Sequence, residues 1–153
     1  MALFLVQHGK AAPAEIDPER GLTTEGRAEV DRIASVAEGY GVRVGAIVHS
    51  GKKRARETAE IFCEKLGAGI SICAAAGMDP NDDVAAFAGR VSAADNMMLV
   101  GHLPFMEKLA SFLITGSPDR PVFKFQNGGI VCLDIHPAAG TWVIVWALMP
   151  RIG

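Results

Sequence analysis

The sequence predicts an α/β fold, a three-layer α/β/α sandwich whose central sheet is mostly parallel with an antiparallel edge. Three observations indicate it. Strand-length apolar runs alternate with segments of helical periodicity as far as Ile114, and two further runs follow with only a short turn between them. No internal repeat or interdomain linker interrupts the 153 residues. We therefore expect a single domain over 1–153, long enough to bury a sizeable core.

Local signals place the alternating elements. The predicted strands are apolar runs bounded by polar or turn residues, at 2–6, 44–50, 70–75 and 96–102. The predicted helices carry apolar side chains on one face, at 24–38, 52–66, 79–91 and 104–114. Thr23 or Thr24 can cap the first helix, Gly67 ends the second, and Pro104 opens the fourth. Strands that alternate with helices in this way form parallel sheets covered on both faces.

The last predicted elements form a hairpin. The segment 115–127 has the glycine and prolines of a loop. The apolar runs at 129–135 and 142–148 are joined only by the turn sequence HPAAGT. Because so short a connection joins antiparallel strands, we expect these two to form the antiparallel edge.

Composition excludes several classes of protein. Half of the residues are hydrophobic, but the longest apolar runs are strand-length and far too short for a membrane span. His8 and Lys10 interrupt the first run where a signal peptide would continue. The formal net charge of −2 disfavours general binding to nucleic acid. We expect a cytoplasmic monomer with no membrane or nucleic-acid partner.

The cysteines and histidines do not have the spacing of a metal site. Cys63, Cys73 and Cys132 are odd in number and form no CxxC pair, so we expect buried free thiols. The four histidines show neither HExxH nor His/Cys ligand spacing. We therefore expect neither a metal nor a cofactor.

Polar residues stand where three of the predicted strands end. The sequences LFLVQHG, AIVHSG and MMLVGH bring His8, His49 and His102 to strand ends. In an open α/β sheet, ligands bind beyond the carboxyl ends of the strands. Arg54 lies in the first turn of the helix that follows the second strand, so it can face the same edge. A helix N-terminus there also favours an anion.

The sequence predicts a pocket for a dianionic tetrahedral group at this edge, made by His8, His102, Arg54 and Lys10. A neutral imidazole can attack phosphorus, and surrounding donors can stabilise charge on the equatorial oxygens. Gly9 is expected to leave room for the approaching phosphoryl group. The alternative is that these histidines are structural and hydrogen-bonded. For His49 this is the favoured interpretation, and His136 is expected to be exposed in the hairpin turn.

Five segments resemble those of the histidine phosphatase superfamily, which has the phosphoglycerate mutase-like fold. Gln7-His8-Gly9 matches its Arg-His-Gly motif, SGKKRARETA (50–59) resembles Ser-Pro-x-x-Arg-Ala-x-Gln-Thr-Ala, and VGHLP (100–104) matches Val-Gly-His-x-Pro. RGLTTEGRAEV and NGGIVCLDI resemble two further segments in the same order. The short chain is similar to the SixA-type phosphohistidine phosphatases rather than to the larger mutases.

The resemblance implies a role for each matched residue. His8 would be the nucleophile that forms a phosphohistidine intermediate, and Arg54 and His102 would bind the phosphoryl oxygens. The implied substrate is phosphohistidine on a protein of the histidine-containing phosphotransfer type. The alternatives are a phosphatase of small phosphorylated metabolites and a phosphate-binding regulatory protein with impaired catalysis.

Two departures from the family pattern stand out. Gln7 replaces the motif's arginine, so one cation that could bind phosphate is missing. Lys10, or a lysine in the GKKRAR segment, could restore the charge, although a solvated basic face is an equal alternative. Arg20 could cover the pocket, but a surface ion pair is the simpler expectation.

The second departure concerns the acid that protonates a leaving group. Asp79 and Asp82 are weak candidates, since an aspartate before a helix is more often an N-cap. A phosphoramidate demands less acid catalysis than an alkyl ester, because its nitrogen can leave as a neutral imidazole. The lack of a clear acid therefore favours phosphohistidine over sugar phosphates.

Overall fold

The computed structural model describes residues 1–152. A six-stranded sheet has the order β3-β2-β4-β1-β5-β6. Its strands are β1 Leu3–Gln7, β2 Ala46–His49, β3 Ser71–Ala74, β4 Met97–Gly101, β5 Ile130–Ile135 and β6 Trp142–Leu148. The helices are α1 Thr24–Gly39, α2 Lys53–Leu66, α3 Val84–Ala88 and α4 Phe105–Thr115, with a single 3₁₀ turn at Ala93–Asp95. None of these helices is long and apolar enough to cross a membrane.

The sheet confirms the predicted architecture. β1 pairs in parallel with β4, β4 with β2, and β2 with β3, whereas β5 and β6 are antiparallel neighbours on the other side of β1. β1 is buried along its whole length because it lies between β4 and β5. Its register sets Gln7 beside Gly101, so the ends of β1 and β4 reach the same edge of the sheet.

Two apolar cores cover the two faces of the sheet. The core on one face contains Val30 and Ile33 of α1 and Phe62 of α2. The core on the other face contains Phe87 of α3 and Leu109 of α4. These side chains lie on the apolar faces predicted for the helices, and their burial gives the three layers of the α/β/α sandwich.

The third helix is shorter than the sequence predicts. In place of a helix over 79–91, the structure has a turn in which the Asp82 carboxylate accepts the backbone N–H of Asp79 at 2.8 Å. The helix α3 then starts after Asp83, whose side chain accepts the N–H of Ala85 as an N-cap. Local bonds from aspartate side chains compete with helical bonds, which shortens the element.

The expectation of three buried cysteines is also corrected. Cys132 is buried and Cys63 is half-buried, but Cys73 is exposed. It lies in β3, whose four residues are all exposed because the strand forms one edge of the sheet. An apolar run alone did not distinguish an edge strand from a central one.

Candidate active site

His8 follows β1 directly, and backbone contacts hold it from two sides. Its N–H donates to the carbonyl of Gly101 at 2.9 Å, which continues the pairing of β1 with β4. Its carbonyl accepts the side-chain amide of Asn127 at 2.9 Å, from the loop before β5. The end of β4 and the loop before β5 therefore fix the position of His8 from opposite sides of β1.

A hydrogen bond fixes the tautomer of the His8 ring. Nδ1 lies 2.7 Å from the carbonyl oxygen of Gly9, which can only accept, so Nδ1 carries the proton. The lone pair is then on Nε2, the nitrogen available for attack. The N–H of Gly9 donates to Thr58 Oγ1 at 2.9 Å, and that hydroxyl donates to the Arg54 carbonyl at 2.8 Å. This chain of bonds links the end of β1 to α2.

Gly9 lacks a side chain for a reason that the sequence did not indicate. A Cβ at this position would lie 2.7 Å from Val30 Cγ2 and 3.1 Å from Leu22 Cδ2. Those atoms belong to α1 and the segment before it, so the space that glycine leaves is filled by the protein. Its part in the site is to bring α1 close to β1 and to supply the carbonyl that holds His8.

His102 follows β4 and faces His8. The centres of the two rings are 5.0 Å apart. His102 is 1% exposed, its Nε2 forms a 2.6 Å hydrogen bond with the Ser50 hydroxyl, and its buried Nδ1 has no partner within residues 1–152. Two strand ends that are far apart in sequence thus bring two imidazoles together, as the pattern of strand ends predicts.

Both rings are neutral at pH 7. Burial is the main cause that lowers the pKa of His8 to about 4, and the positive charges of Arg54 and Arg20 lower it further. Burial also lowers the pKa of His102 to about 3, helped by His8 once that ring is protonated in acid and by the positive charges of Arg54, Lys52 and Arg20. A neutral His8 keeps the Nε2 lone pair that nucleophilic attack needs.

Arg54 lies in the first turn of α2, and its guanidinium is a candidate to bind an anion. It is half-buried, and among residues 1–152 it forms neither a side-chain hydrogen bond nor an ion pair. Its charge reaches both histidines, since it lowers the pKa of each. A half-buried cation with free donors beside two neutral imidazoles is suited to an oxyanion.

Gln7 and Lys10 do not supply the missing cation. Gln7 is 9% exposed and neutral, and its buried Oε1 has no partner in the described part of the chain, 1–152. Lys10 is exposed, and its ammonium lies 2.6 Å from the Glu25 carboxylate on α1. The structure therefore places the charge of Lys10 in a surface ion pair instead of leaving it free for a ligand.

The two candidate acids lie in the turn before α3. Asp79 is exposed, with its Oδ1 3.9 Å from Lys52 Nζ, at the margin of the site. Asp82 uses its carboxylate in the turn described above. Within the described residues 1–152, no group of three or more histidine, cysteine or carboxylate side chains could hold a metal ion.

Sequence reasoning missed several contributors to the site. Ser50, Thr58 and Asn127 act through hydrogen bonds that only the folded chain reveals.

Arg20 is exposed, but the ion pair expected for it is absent among residues 1–152. Together with Arg54, it lines a cleft of about 350 Å³. Its charge lowers the pKa of both histidines, so it stands within electrostatic reach of the site.

The remaining two histidines follow the expectations made for them. His49 is 6% exposed, and its Nδ1 accepts the N–H of Gly51 at 3.1 Å, as expected of a buried structural histidine. His136 is exposed in the hairpin turn, where its Nδ1 accepts two backbone N–H groups.

Comparisons with solved structures give a consistent group of neighbours. The structure of the protein histidine phosphatase SixA complexed with tungstate is 25% identical, with a TM-score of 0.80 over 98% of this chain and 97% of that one. A protein described as a phosphohistidine phosphatase SixA from Agrobacterium tumefaciens is 27% identical, with a TM-score of 0.76 over 97% of each chain. A protein described as an α-ribazole phosphatase from Escherichia coli is 17% identical and shares the fold, with a TM-score of 0.73 over 100% of this chain and 98% of that one.

Of the two comparisons of sequence, the one with family models points the same way. No curated protein matches the chain. The model of the histidine phosphatase superfamily (branch 1) matches residues 3–76, which contain β1, His8 and Arg54. This match and the SixA neighbours agree with the paired histidines of the site. The chain is therefore similar to the histidine phosphatase superfamily in sequence over residues 3–76 and in fold over nearly its whole length, and the enzyme class of that superfamily is a phosphatase.

Proposed function

We propose that the protein is a metal-independent phosphatase that transfers a phosphoryl group to His8 and then to water. One observation carries the proposal: the hydrogen bond from His8 Nδ1 to the Gly9 carbonyl leaves the Nε2 lone pair free. That nitrogen belongs to a ring 5.0 Å from His102. The arrangement supplies a nucleophile and, in Arg54, a cation for the phosphoryl oxygens without a bound ion.

In the first step, the Nε2 lone pair of His8 forms a bond to phosphorus while the bond from phosphorus to the leaving group breaks. Nδ1 keeps its proton against the Gly9 carbonyl, so the phosphorylated ring is an imidazolium. In the second step, water attacks phosphorus, the bond from Nε2 to phosphorus breaks, and the proton of water leaves with phosphate. His8 returns to its neutral form, and Nδ1 keeps its proton and its hydrogen bond to the Gly9 carbonyl through both steps.

We propose phosphohistidine on a protein as the substrate. Neither candidate acid is held in the site by a side-chain hydrogen bond among residues 1–152, because Asp79 is exposed beside Lys52 and Asp82 is used in a turn. A phosphohistidine with its second ring nitrogen protonated leaves as a neutral imidazole, so it needs no such acid. The SixA neighbours, which cover almost the whole of this chain, support the same choice.

The test measures transfer of labelled phosphate from a phosphorylated histidine-containing phosphotransfer domain. The reaction is quenched in alkali, because a phosphoramidate is stable there and breaks down in acid. We expect label on the wild-type protein, none on His8→Asn, and wild-type labelling of His136→Asn, which changes an exposed histidine away from the site. Phosphate binding without label on His8 would favour the regulatory phosphate-binding alternative.

A second measurement fixes the substrate class. The ratio kcat/KM for the phosphorylated domain should exceed that for phosphoserine or a sugar phosphate. The reverse order, with His8 still labelled, would leave the mechanism intact and make the protein a phosphatase of small metabolites.

A further inference from the structure

The cationic side of the site contains one residue for which the mechanism above gives no role. The cleft of about 350 Å³ that Arg54 lines is also lined by Arg20, from the loop between β1 and α1. Gln7 is neutral, so the end of β1 adds no positive charge to the pocket. The question is whether Arg20 belongs to the phosphate site or only to the surface.

The ion pairs of the cleft distinguish Arg20 and Arg54 from its other cations. Lys52 lies 3.9 Å from Asp79, Lys53 lies 3.2 Å from Asp17, and Arg56 lies 3.3 Å from Glu60. Within the part of the chain that the structure describes, 1–152, neither Arg20 nor Arg54 has a carboxylate partner. Two unpaired guanidinium groups on one cleft repel each other, and an anion bound between them relieves that repulsion.

The loop that carries Arg20 is held in place. The backbone of Gly21 donates to Asp17 Oδ2 at 2.8 Å, and the same carboxylate pairs with Lys53 of α2. The backbone of Leu22 donates to Glu57 Oε1 of α2 at 2.9 Å. The loop is therefore attached to the same helix that carries Arg54, so the relative position of the two arginines is set before a ligand arrives.

Arg20 itself is fixed by two further features. Its φ of 53° lies in the left-handed region, which a residue other than glycine adopts only when its surroundings determine it. Its Nε donates to the Ala12 carbonyl at 3.1 Å, which leaves the two terminal amino groups free. Those two groups form the planar fork that binds two oxygens of one anion.

We propose that Arg20 is a phosphate-binding residue that acts with Arg54 on the oxygens of the transferring phosphoryl group and supplies the cation that position 7 lacks. The proposal rests on the proposed function, because it assigns Arg20 to the anion of that reaction. The positive charge of Arg20 lowers the pKa of both His8 and His102, which agrees with a position near the phosphate site.

The test uses inorganic tungstate, a tetrahedral dianion, and calorimetric titration of the full chain. Arg20→Gln removes the charge but keeps an amide that can donate to Ala12, and Arg56→Ala is the matched control in the same cleft. We expect Arg20→Gln to weaken tungstate binding by about ten- to a hundredfold, the range of a lost charge-assisted bond. Arg56→Ala should stay within about twofold, as for an exposed ion pair.

A compensating change sharpens the result. In the Arg20→Gln background, Gln7→Arg restores a guanidinium at the site and should recover part of the tungstate affinity. Equal binding by Arg20→Gln and Arg56→Ala, in a protein that still takes label on His8, would overturn the role of Arg20 alone. A wild-type protein that neither binds tungstate nor takes label would overturn both this role and the proposed function.

Discussion

The two sides of the site are built from different kinds of contact. On the nucleophile side, named for the proposed nucleophile His8, this residue donates hydrogen bonds to the backbone carbonyls of Gly101 and Gly9 and accepts one from the Asn127 side chain. On the cationic side, Arg20 and Arg54 present charged groups that have no carboxylate partner among residues 1–152. The fold itself therefore sets the tautomer of His8, whereas individual side chains would set the affinity for an anion.

This difference determines how each side responds to change. Buried backbone hydrogen bonds are little affected by salt, and breaking one leaves an unsatisfied group that costs stability. Exposed and half-buried charges are screened by salt, with a Debye length of about 8 Å at physiological ionic strength. We expect substitutions on the nucleophile side to change chemistry or folding, and those on the cationic side to change binding.

The largest effect should come from the nucleophile. His8→Asn removes the attacking nitrogen, and we expect kcat/KM to fall by at least about 10⁴-fold, as losses of a nucleophile do. Turnover of a phosphorylated phosphotransfer domain measures it, with His136→Asn as the control. Substantial activity in His8→Asn would mean that a different group attacks phosphorus.

Arg54→Ala should have the next largest effect. The guanidinium would stabilise charge that develops on the phosphoryl oxygens, and removal of such a donor costs about 10²- to 10³-fold in rate. Arg54→Lys keeps a positive charge but not the planar fork of the guanidinium, so its rate should lie between those of the wild type and Arg54→Ala. Raising the salt concentration should weaken phosphate inhibition of the wild type more than that of Arg54→Ala. An Arg54→Ala enzyme as active as Arg56→Ala would contradict this assignment.

The buried histidines should make stability depend on pH. The pKa values of His8 and His102 are about 4 and 3 in the folded protein, below their ordinary value of 6.5. The unfolded chain therefore binds more protons as the pH falls below 6.5, so the free energy of unfolding decreases towards acid, by on the order of a few kcal/mol. Urea unfolding between pH 7 and 5 measures this, and most carboxylates stay ionised in that window.

A variant separates the histidines of the site from other sources of that slope. His102→Asn should reduce the dependence on pH without abolishing it, because His8 remains and burial also lowers the pKa of His49. A slope identical to that of the wild type would show that His102 is not the group that resists protonation.

Thr58→Val tests the link from the nucleophile side to α2. Thr58 is fully buried, and the change leaves the N–H of Gly9 without its partner. We expect a loss of about 1–3 kcal/mol in the free energy of unfolding, the usual cost of a buried unsatisfied donor. Thr24→Val, at an exposed position of α1, is the control. Equal stabilities would mean that the Gly9 N–H finds another acceptor.

The sequence predicted the side of the site that the backbone builds better than the side that charges build. Apolar runs that end in histidine predicted that His8 and His102 would meet, because strand direction in a parallel sheet leaves little choice. The partner of His8 Nδ1 could not be predicted, since a backbone carbonyl carries no signal in the sequence. For surface cations such as Lys10 and Arg20, a sequence offers several possible partners of similar energy, so only the folded chain shows whether each cation is paired.

Lys10 provides the smallest expected effect and the sharpest contrast with Arg20. Both are exposed cations of the segment after His8, but the ammonium of Lys10 lies 2.6 Å from Glu25, whereas Arg20 has no carboxylate among residues 1–152. An exposed ion pair contributes about 0–1 kcal/mol, so Lys10→Ala should scarcely change the midpoint of thermal unfolding. Because Glu25 already neutralises that charge, kcat/KM should stay within about twofold of the wild type. A tenfold loss of kcat/KM would mean that Lys10 leaves Glu25 when phosphate binds. The loop that directly follows His8 would then supply part of the positive charge of the cationic side.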